Sequence, residues 1–277
     1  APDTDDWHAR PRHAKAGILN NPRFATHSEV MLILDADQIP APEILDRTLG
    51  WFQDPEVALV QTPQWFTNVT DSKGRKYDIP VLVGGLAANR EIYRIGIGCE
   101  FAEIDARWLK AAQQPLPPRV VKNAPCHDIV ITGAALDKPG QGLDGIPLPI
   151  STPGWDIAPY ATLSQYITRD PDTGVQNMGN YRGQVKARRR LGMNPSLELR
   201  PGIYNHWEKL RNRGFKKLPC AVVLGAPPVV TFASVQKLPE TLDELHVAGA
   251  LVGTQINVVK AKTVDLLVRA EAEIRRL

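Results

Sequence analysis

Asp170-Pro-Asp-Thr-Gly-Val-Gln-Asn-Met-Gly-Asn-Tyr-Arg-Gly-Gln184 is the densest run of polar residues in the chain. An asparagine offers a neutral carbonyl oxygen to a hard cation, and a turn rich in Gly and Asn exposes backbone N–H groups that a phosphate accepts. An arginine two residues beyond such a turn, Arg182, has the planar fork that grips a carboxylate with two hydrogen bonds. The alternative is a plain β-turn with Asn and Gly in left-handed conformations and Arg182 on the surface. Lys186, Arg188, Arg189 and Arg190, just downstream, read more readily as a solvated face than as a phosphate clamp.

Outward from this run the pattern is α+β with no internal repeat. Towards the C-terminus, strands are predicted near Leu218–Leu224, Ile256–Ala261 and Thr263–Val268, and helices near Ile203–Arg213 and Thr241–Ala248. Towards the N-terminus, Asp128–Gly133 and Ile79–Gly85 read as short strands with turns, and Glu100–Gln113 as an amphipathic helix stopped by Pro115. The Pro- and Gly-rich stretch Lys138–Tyr160 is too apolar for a disordered linker and reads as an ordered loop over a core.

The 277 residues, 43% apolar and 23% charged, suffice for about two domains with real cores, which excludes a disordered chain. No apolar run approaches the roughly 18 residues of a membrane span, and the charged first residues do not read as a signal peptide, so a cytoplasmic protein is expected. Cys99, Cys126 and Cys220 match no zinc or CxxC spacing and read as reduced thiols. A net charge of +3 is too small to argue for nucleic acid. Its distribution is uneven: residues 1–70 carry −5 and residues 71–277 carry +8. A domain boundary is therefore expected near residue 70, inside the polar stretch Asn68–Lys76.

In the acidic segment, Val30-Met-Leu-Ile-Leu-Asp35 has the pattern of a strand buried on both faces of a parallel sheet. Asp35 and Asp37, just past it, are spaced to hold a divalent cation beside a nucleotide diphosphate; a helix cap ahead of the Glu43–Phe52 helix pattern is the competing reading. His13-Ala-Lys-Ala-Gly-Ile-Leu-Asn-Asn21, Leu32-Ile-Leu-Asp-Ala-Asp-Gln-Ile-Pro40 and Val57-Ala-Leu-Val-Gln-Thr-Pro-Gln64 together resemble the middle of a cellulose-synthase-type family-2 glycosyltransferase. That resemblance implies a fragment of an α/β nucleotide-sugar-binding sheet, with Lys15, Asp35 and Asp37 at the donor site.

A longer resemblance covers about 200 residues. Pro80-Val-Leu-Val-Gly-Gly-Leu-Ala-Ala88, His127-Asp-Ile-Val-Ile-Thr-Gly133, Gly140-Gln-Gly-Leu-Asp-Gly-Ile-Pro147, Asn177-Met-Gly-Asn-Tyr-Arg182, Leu191-Gly-Met-Asn-Pro-Ser-Leu-Glu-Leu-Arg200 and Val247-Ala-Gly-Ala-Leu-Val-Gly253 resemble the UbiD family of reversible decarboxylases, especially its hydroxybenzoate and vanillate branch. The resemblance implies a partial split β-barrel of flavin-reductase type with flanking α/β elements. It also implies prenylated FMN, Mn²⁺ or Mg²⁺ with K⁺ nearby, and an aromatic carboxylic acid as substrate. A flavin prenyltransferase would supply the cofactor, and intact members form homo-oligomers. By matching motifs, Asn177 would be a metal ligand, Gly179, Asn180 and Tyr181 would line the cofactor, and Arg182 would be the catalytic arginine. Glu273 would be another metal ligand. Where the family has a histidine ligand, Met193–Gly202 offers Glu198, an oxygen donor suited to Mn²⁺, while His206 is expected to pack beside Trp207. The same resemblance implies two segments, 1–70 and 71–277, the second truncated at both ends, lacking the carboxylic acid that returns a proton and therefore impaired in turnover. An inactive chimeric product is the remaining expectation.

Overall fold

In the computed structural model, the described residues are 19, 22, 26–34, 40–60, 62, 90–150 and 157–271. The chain divides into two compact units, Ala1–Thr62 and Pro63–Leu277. No helix among the described residues is long and apolar enough to cross a membrane.

In the first unit the helical segment α1 (Ile44–Thr48) is continued by a 3₁₀ turn over Leu49–Gln53, where a helix was expected. The expected buried strand is absent from residues 30–34. Val30 to Leu34 form no ladder and are exposed, Leu32 by 47%. An apolar run becomes a central parallel strand only when neighbouring strands take its N–H and C=O groups and helices cover both faces. No such neighbours occur among the described residues of this unit. Lys15, Asp35 and Asp37 lie outside the described residues.

The second unit is α+β. Its helices are α2 (Arg90–Tyr93), α3 (Ile104–Gln113), α4 (Gly202–Asn212), α5 (Pro228–Ser234) and α6 (Glu244–Val252). Its strands are β1 (Arg119–Val120), β2 (Tyr160–Ala161), β3 (Ser164–Arg169), β4 (Gln176–Asn180), β5 (Gly183–Ala187), β6 (Arg190–Met193), β7 (Ala221–Leu224), β8 (Asn257–Lys260) and β9 (Leu267–Arg269). They form three small sheets, ordered β1-β8-β9, β2-β5-β6 and β4-β3-β7. The described strands close no barrel, so the split-barrel expectation is met only as a mixed α+β layout. The expected strand over Asp128–Gly133 is also absent. That segment is irregular, with Ile129 68% exposed, because no strand among the described residues lies alongside to pair with it. Residues 79–85 lie outside the described residues.

The core forms around α6, whose Leu245, Val247, Ala248 and Leu251 are buried nearly all round. Leu245, Val247 and Leu251 each contribute roughly 1.5–3 kcal/mol relative to exposure. The helix starts at Asp243, whose carboxylate accepts the Leu245 N–H at 2.8 Å, and stops at Gly253, which takes the left-handed φ of 73°. α3 and α5 pack on α6, with Trp108 and Phe232 edge to face at 5.5 Å. The sheet β4-β3-β7 lies on the same core through Ile167, Met178 and Val223. The cysteines are unpaired, and burial pushes the Cys220 thiol up to about 11.

Candidate active site

The polar run Asp170–Gln184 is a hairpin rather than an isolated turn. Asp170 shapes its tip: the Asp170 carboxylate accepts the Asp172 N–H at 2.8 Å, its carbonyl accepts the Gly174 N–H at 2.9 Å, and Gly174 takes φ 75°. The antiparallel register pairs Gln165 with Asn180, Tyr166 with Gly179, Ile167 with Met178 and Thr168 with Asn177. Opposed residues share a face, so Asn177, Thr168, Tyr166 and Gly179 lie on one side of the sheet. Met178, Ile167, Gln165 and Asn180 lie on the core side.

β4 is the edge of its sheet, and the N-terminus of α6 covers that edge. Glu244, 2% exposed, accepts the Asn177 Nδ2–H on Oε1 at 2.6 Å and the Met178 backbone N–H on Oε2 at 2.7 Å. Burial pushes the Glu244 carboxyl up to about 8, against the opposing pull of these two donors. The Asn177 Oδ1, buried beside it, has no hydrogen-bond partner. Neither have the two amide atoms of Gln165, the Asn180 Oδ1 or the Tyr166 hydroxyl, all on or next to this strand pair. These atoms lie on both faces of the sheet, Asn177 and Tyr166 on one and Gln165 and Asn180 on the core side. A buried polar atom left unpaired costs about 1–3 kcal/mol, so the Asn177 oxygen beside Glu244 marks a place where another group is expected to bind.

The sequence-derived candidates are distributed as follows. Asn177, Gly179 and Asn180 are on β4, and Tyr181 and Arg182 form the link to β5. The Tyr181 ring packs edge to face on Tyr166 at 5.7 Å, and burial pushes its hydroxyl up to about 12. Gly179 is required there, because a Cβ would meet the Tyr181 hydroxyl at 2.5 Å. Arg182 is exposed. Glu198 is also exposed, and the carboxylate brought to Asn177 is Glu244 instead. Glu273 lies outside the described residues. His206 is buried, its Nδ1 lies 2.9 Å from Thr168 Oγ1, and burial lowers its pKa.

Glu244 was missed in the sequence because Thr241-Leu-Asp-Glu-Leu reads as a helix start, where an acid normally faces water. Its burial depends on an edge strand 66 residues away. Among the described residues no cluster of three or more His, Cys, Asp or Glu side chains could hold a metal. The amide oxygen of Asn177 with the carboxylate of Glu244 is nevertheless a hard-oxygen donor pair, which suits Mn²⁺ or Mg²⁺. The unpartnered Asn180 oxygen fits a flavin's need for polar contacts.

Comparison with known proteins bears on the same region. Residues 119–275 match the family model described as the UbiD 3-octaprenyl-4-hydroxybenzoate carboxy-lyase Rift-related domain. Among solved structures, the UbiD-class enzyme HmfF from Pelotomaculum thermopropionicum in complex with FMN is 31% identical, with TM-score 0.61, covering 68% of this chain and 41% of that one. An evolved dimeric form of HmfF in complex with prFMN is 29% identical, with TM-score 0.55 over 68% of this chain and 42% of that one. Vanillic acid decarboxylase from Sedimentibacter hydroxybenzoicus is 28% identical, with TM-score 0.58 over 68% and 40%. The chain thus spans about two fifths of the length of these relatives. These similarities lend no support to a glycosyltransferase-like reading of residues 1–70. The hairpin with its unpartnered polar atoms lies inside the matched stretch, and that match, over more than half of the sequence, makes this chain a member of the UbiD family.

Proposed function

We propose that this chain carries the flavin- and metal-holding part of a decarboxylase that releases CO₂ from an aromatic, hydroxybenzoate-type carboxylic acid. The observation that carries the reading is the buried Asn177 amide oxygen, unpartnered next to the Glu244 carboxylate, on the strand that leads to Arg182. Asn177 and Glu244 would hold Mn²⁺ or Mg²⁺, with Glu273 as a further ligand by resemblance. Glu198 is the weaker candidate, because it is exposed and Glu244 takes its place beside Asn177. Gly179, Asn180 and Tyr181 would line the flavin. Prenylated FMN, when bound, supplies a centre that accepts the electrons left behind as CO₂ departs.

The residues of the chain do the rest. Arg182, exposed in the link between β4 and β5, would bind the reacting carboxylate with its guanidinium fork and orient it. Tyr181, whose hydroxyl burial pushes still further up to about 12, would offer an apolar ring wall without adding charge. A flavin prenyltransferase would supply the cofactor in the cytoplasm, and homo-oligomers would follow the family pattern.

Binding is the direct test. The purified chain is expected to bind FMN more tightly with Mn²⁺ present, read by flavin fluorescence, and Asn177→Ala is expected to abolish that gain. With prenylated FMN, release of CO₂ from vanillate, protocatechuate or 4-hydroxybenzoate is expected to fall in Arg182→Ala while flavin binding persists. Absence of both FMN and Mn²⁺ binding would overturn the proposal.

A further inference from the structure

α4 covers the face of the β3–β4 hairpin that carries Asn177. Its register on that face is held by polar bonds to β3 and the hairpin tip. Lys209 Nζ donates to Asp170 Oδ2 at 2.6 Å, Arg213 pairs with Asp172, and His206 bonds Thr168, the residue directly opposite Asn177. These bonds place the first residue of the helix, Gly202, against the Asn177 side chain. A Cβ built on Gly202 would stand 2.5 Å from Asn177 Cγ, closer still to Oδ1, and 2.9 Å from Nδ2. Real Cβ atoms do not approach that closely, and an amide pushed aside would break its Nδ2 bond to Glu244.

The turn into α4 carries a second sign of constraint. Arg200, two residues before Gly202, has φ 42°, the single non-glycine residue with positive φ among the described residues. A side-chain-bearing residue in that region is strained, and it persists only where the surroundings over-determine it. Here Pro201 follows with extended geometry, and the Arg200 guanidinium is tied forward onto α4. It pairs with Glu208 and lies over the Tyr204 ring, 5.3 Å from its centroid. Strained backbone, proline and glycine therefore stand in sequence where the helix meets the Asn177 amide.

We propose that the Arg200-Pro201-Gly202 turn is a positioning device that seats the Asn177 amide on Glu244, with Gly202 required because any side chain there displaces the amide. The inference deepens the proposed metal-holding role of Asn177 and rests on it for its functional meaning. Gly202 is a positioning residue: it touches the group that would hold the ion, not the substrate.

The test uses the ¹⁵N-labelled full chain without metal, comparing wild type with Gly202→Ala. Glu244 supplies an internal reference, because it accepts both the Asn177 Nδ2–H and the Met178 backbone N–H. In Gly202→Ala the Asn177 side-chain NH₂ signal, assigned by its loss in Asn177→Asp, is expected to move to the position of a solvated amide. The Met178 N–H should stay protected from exchange. Loss of protection at Met178 to the same degree would indicate general destabilisation and overturn the proposal, as would an unmoved Asn177 signal. If Gly202→Ala alone does not fold, the comparison is made in an Arg200→Gly background, which relieves the left-handed strain. A second arm measures Mn²⁺ affinity by electron paramagnetic resonance, where about a 10- to 100-fold loss is expected for Gly202→Ala, the range for residues that orient a ligand. Mn²⁺ binding absent from the wild type would remove the proposed function, while the amide signal would still decide the positioning inference.

Discussion

At the tip of the β3–β4 hairpin, Asp170 is buried to 1% exposure yet fully engaged: Lys209 and the Asp172 N–H donate to its carboxylate, and His206 lies 3.8 Å away. At the other end of the same hairpin, Gln165 is buried to 0% and both its amide atoms lack a partner, as does Oδ1 of Asn180, directly opposite. The two ends share strands, burial and a polar composition. They differ in whether the chain completes their hydrogen bonds. A buried polar group with all its partners holds a fold together, whereas one without them costs stability and is retained where another molecule completes it.

If that contrast is sound, removing polar groups should have opposite effects at the two ends. At the tip, Asp170→Ala leaves Lys209 and the Asp172 N–H without their acceptor and is expected to cost about 3 kcal/mol in urea unfolding. A cost below about 1 kcal/mol would break the comparison.

Midway along the hairpin, beside Asn177 and Met178, Glu244→Gln keeps the shape but gives up the charge, and Mn²⁺ affinity measured by calorimetry is expected to fall about 100-fold. Unchanged affinity would remove Glu244 from the site.

The Glu244 carboxyl, raised by burial to about 8 from an ordinary 4.5, sharpens the contrast through pH. Between those values the folded, metal-free chain holds a proton that the unfolded chain has lost. Stability from this group is therefore full below pH 4.5 and is lost as pH rises through about 8. A cation must displace the same proton, so Mn²⁺ affinity should rise about tenfold per pH unit up to that value and then level off. A flat profile from pH 6 to 8 would show the carboxylate already ionised.

The smallest expected effect is at Gln165. Gln165→Met removes two unpartnered atoms at nearly constant volume and should stabilise the ligand-free chain by about 1 kcal/mol. Destabilisation would mean that the amide has partners and that the two ends are alike.

Much of this region was legible from local chemistry. Gly174 as a turn glycine, the α4 helix and the α6 helix can be read from residue types and spacing. β3 was not, because Ser-Gln-Tyr-Ile-Thr shows no alternation: the strand is buried on both faces and mixes polar with apolar residues throughout. Val30–Leu34 fails in the opposite sense. It looks more like a buried strand than β3 does, and it is exposed. Apolarity records what a segment gains by burial, whereas ladder partners decide whether burial occurs.

By itself the sequence determined the α+β class and the family to which the motifs belong. Those depend on residue identity and short spacing, which a chain carries before it folds. Only the tertiary structure decided that Glu244 rather than Glu198 meets Asn177, that His206 ties α4 to Thr168, and that Gly202 backs the amide. Each of these pairs joins residues far apart in the chain, and their contact is set by the register of β4 at a sheet edge and by the docking of two helices onto it, which no local pattern encodes.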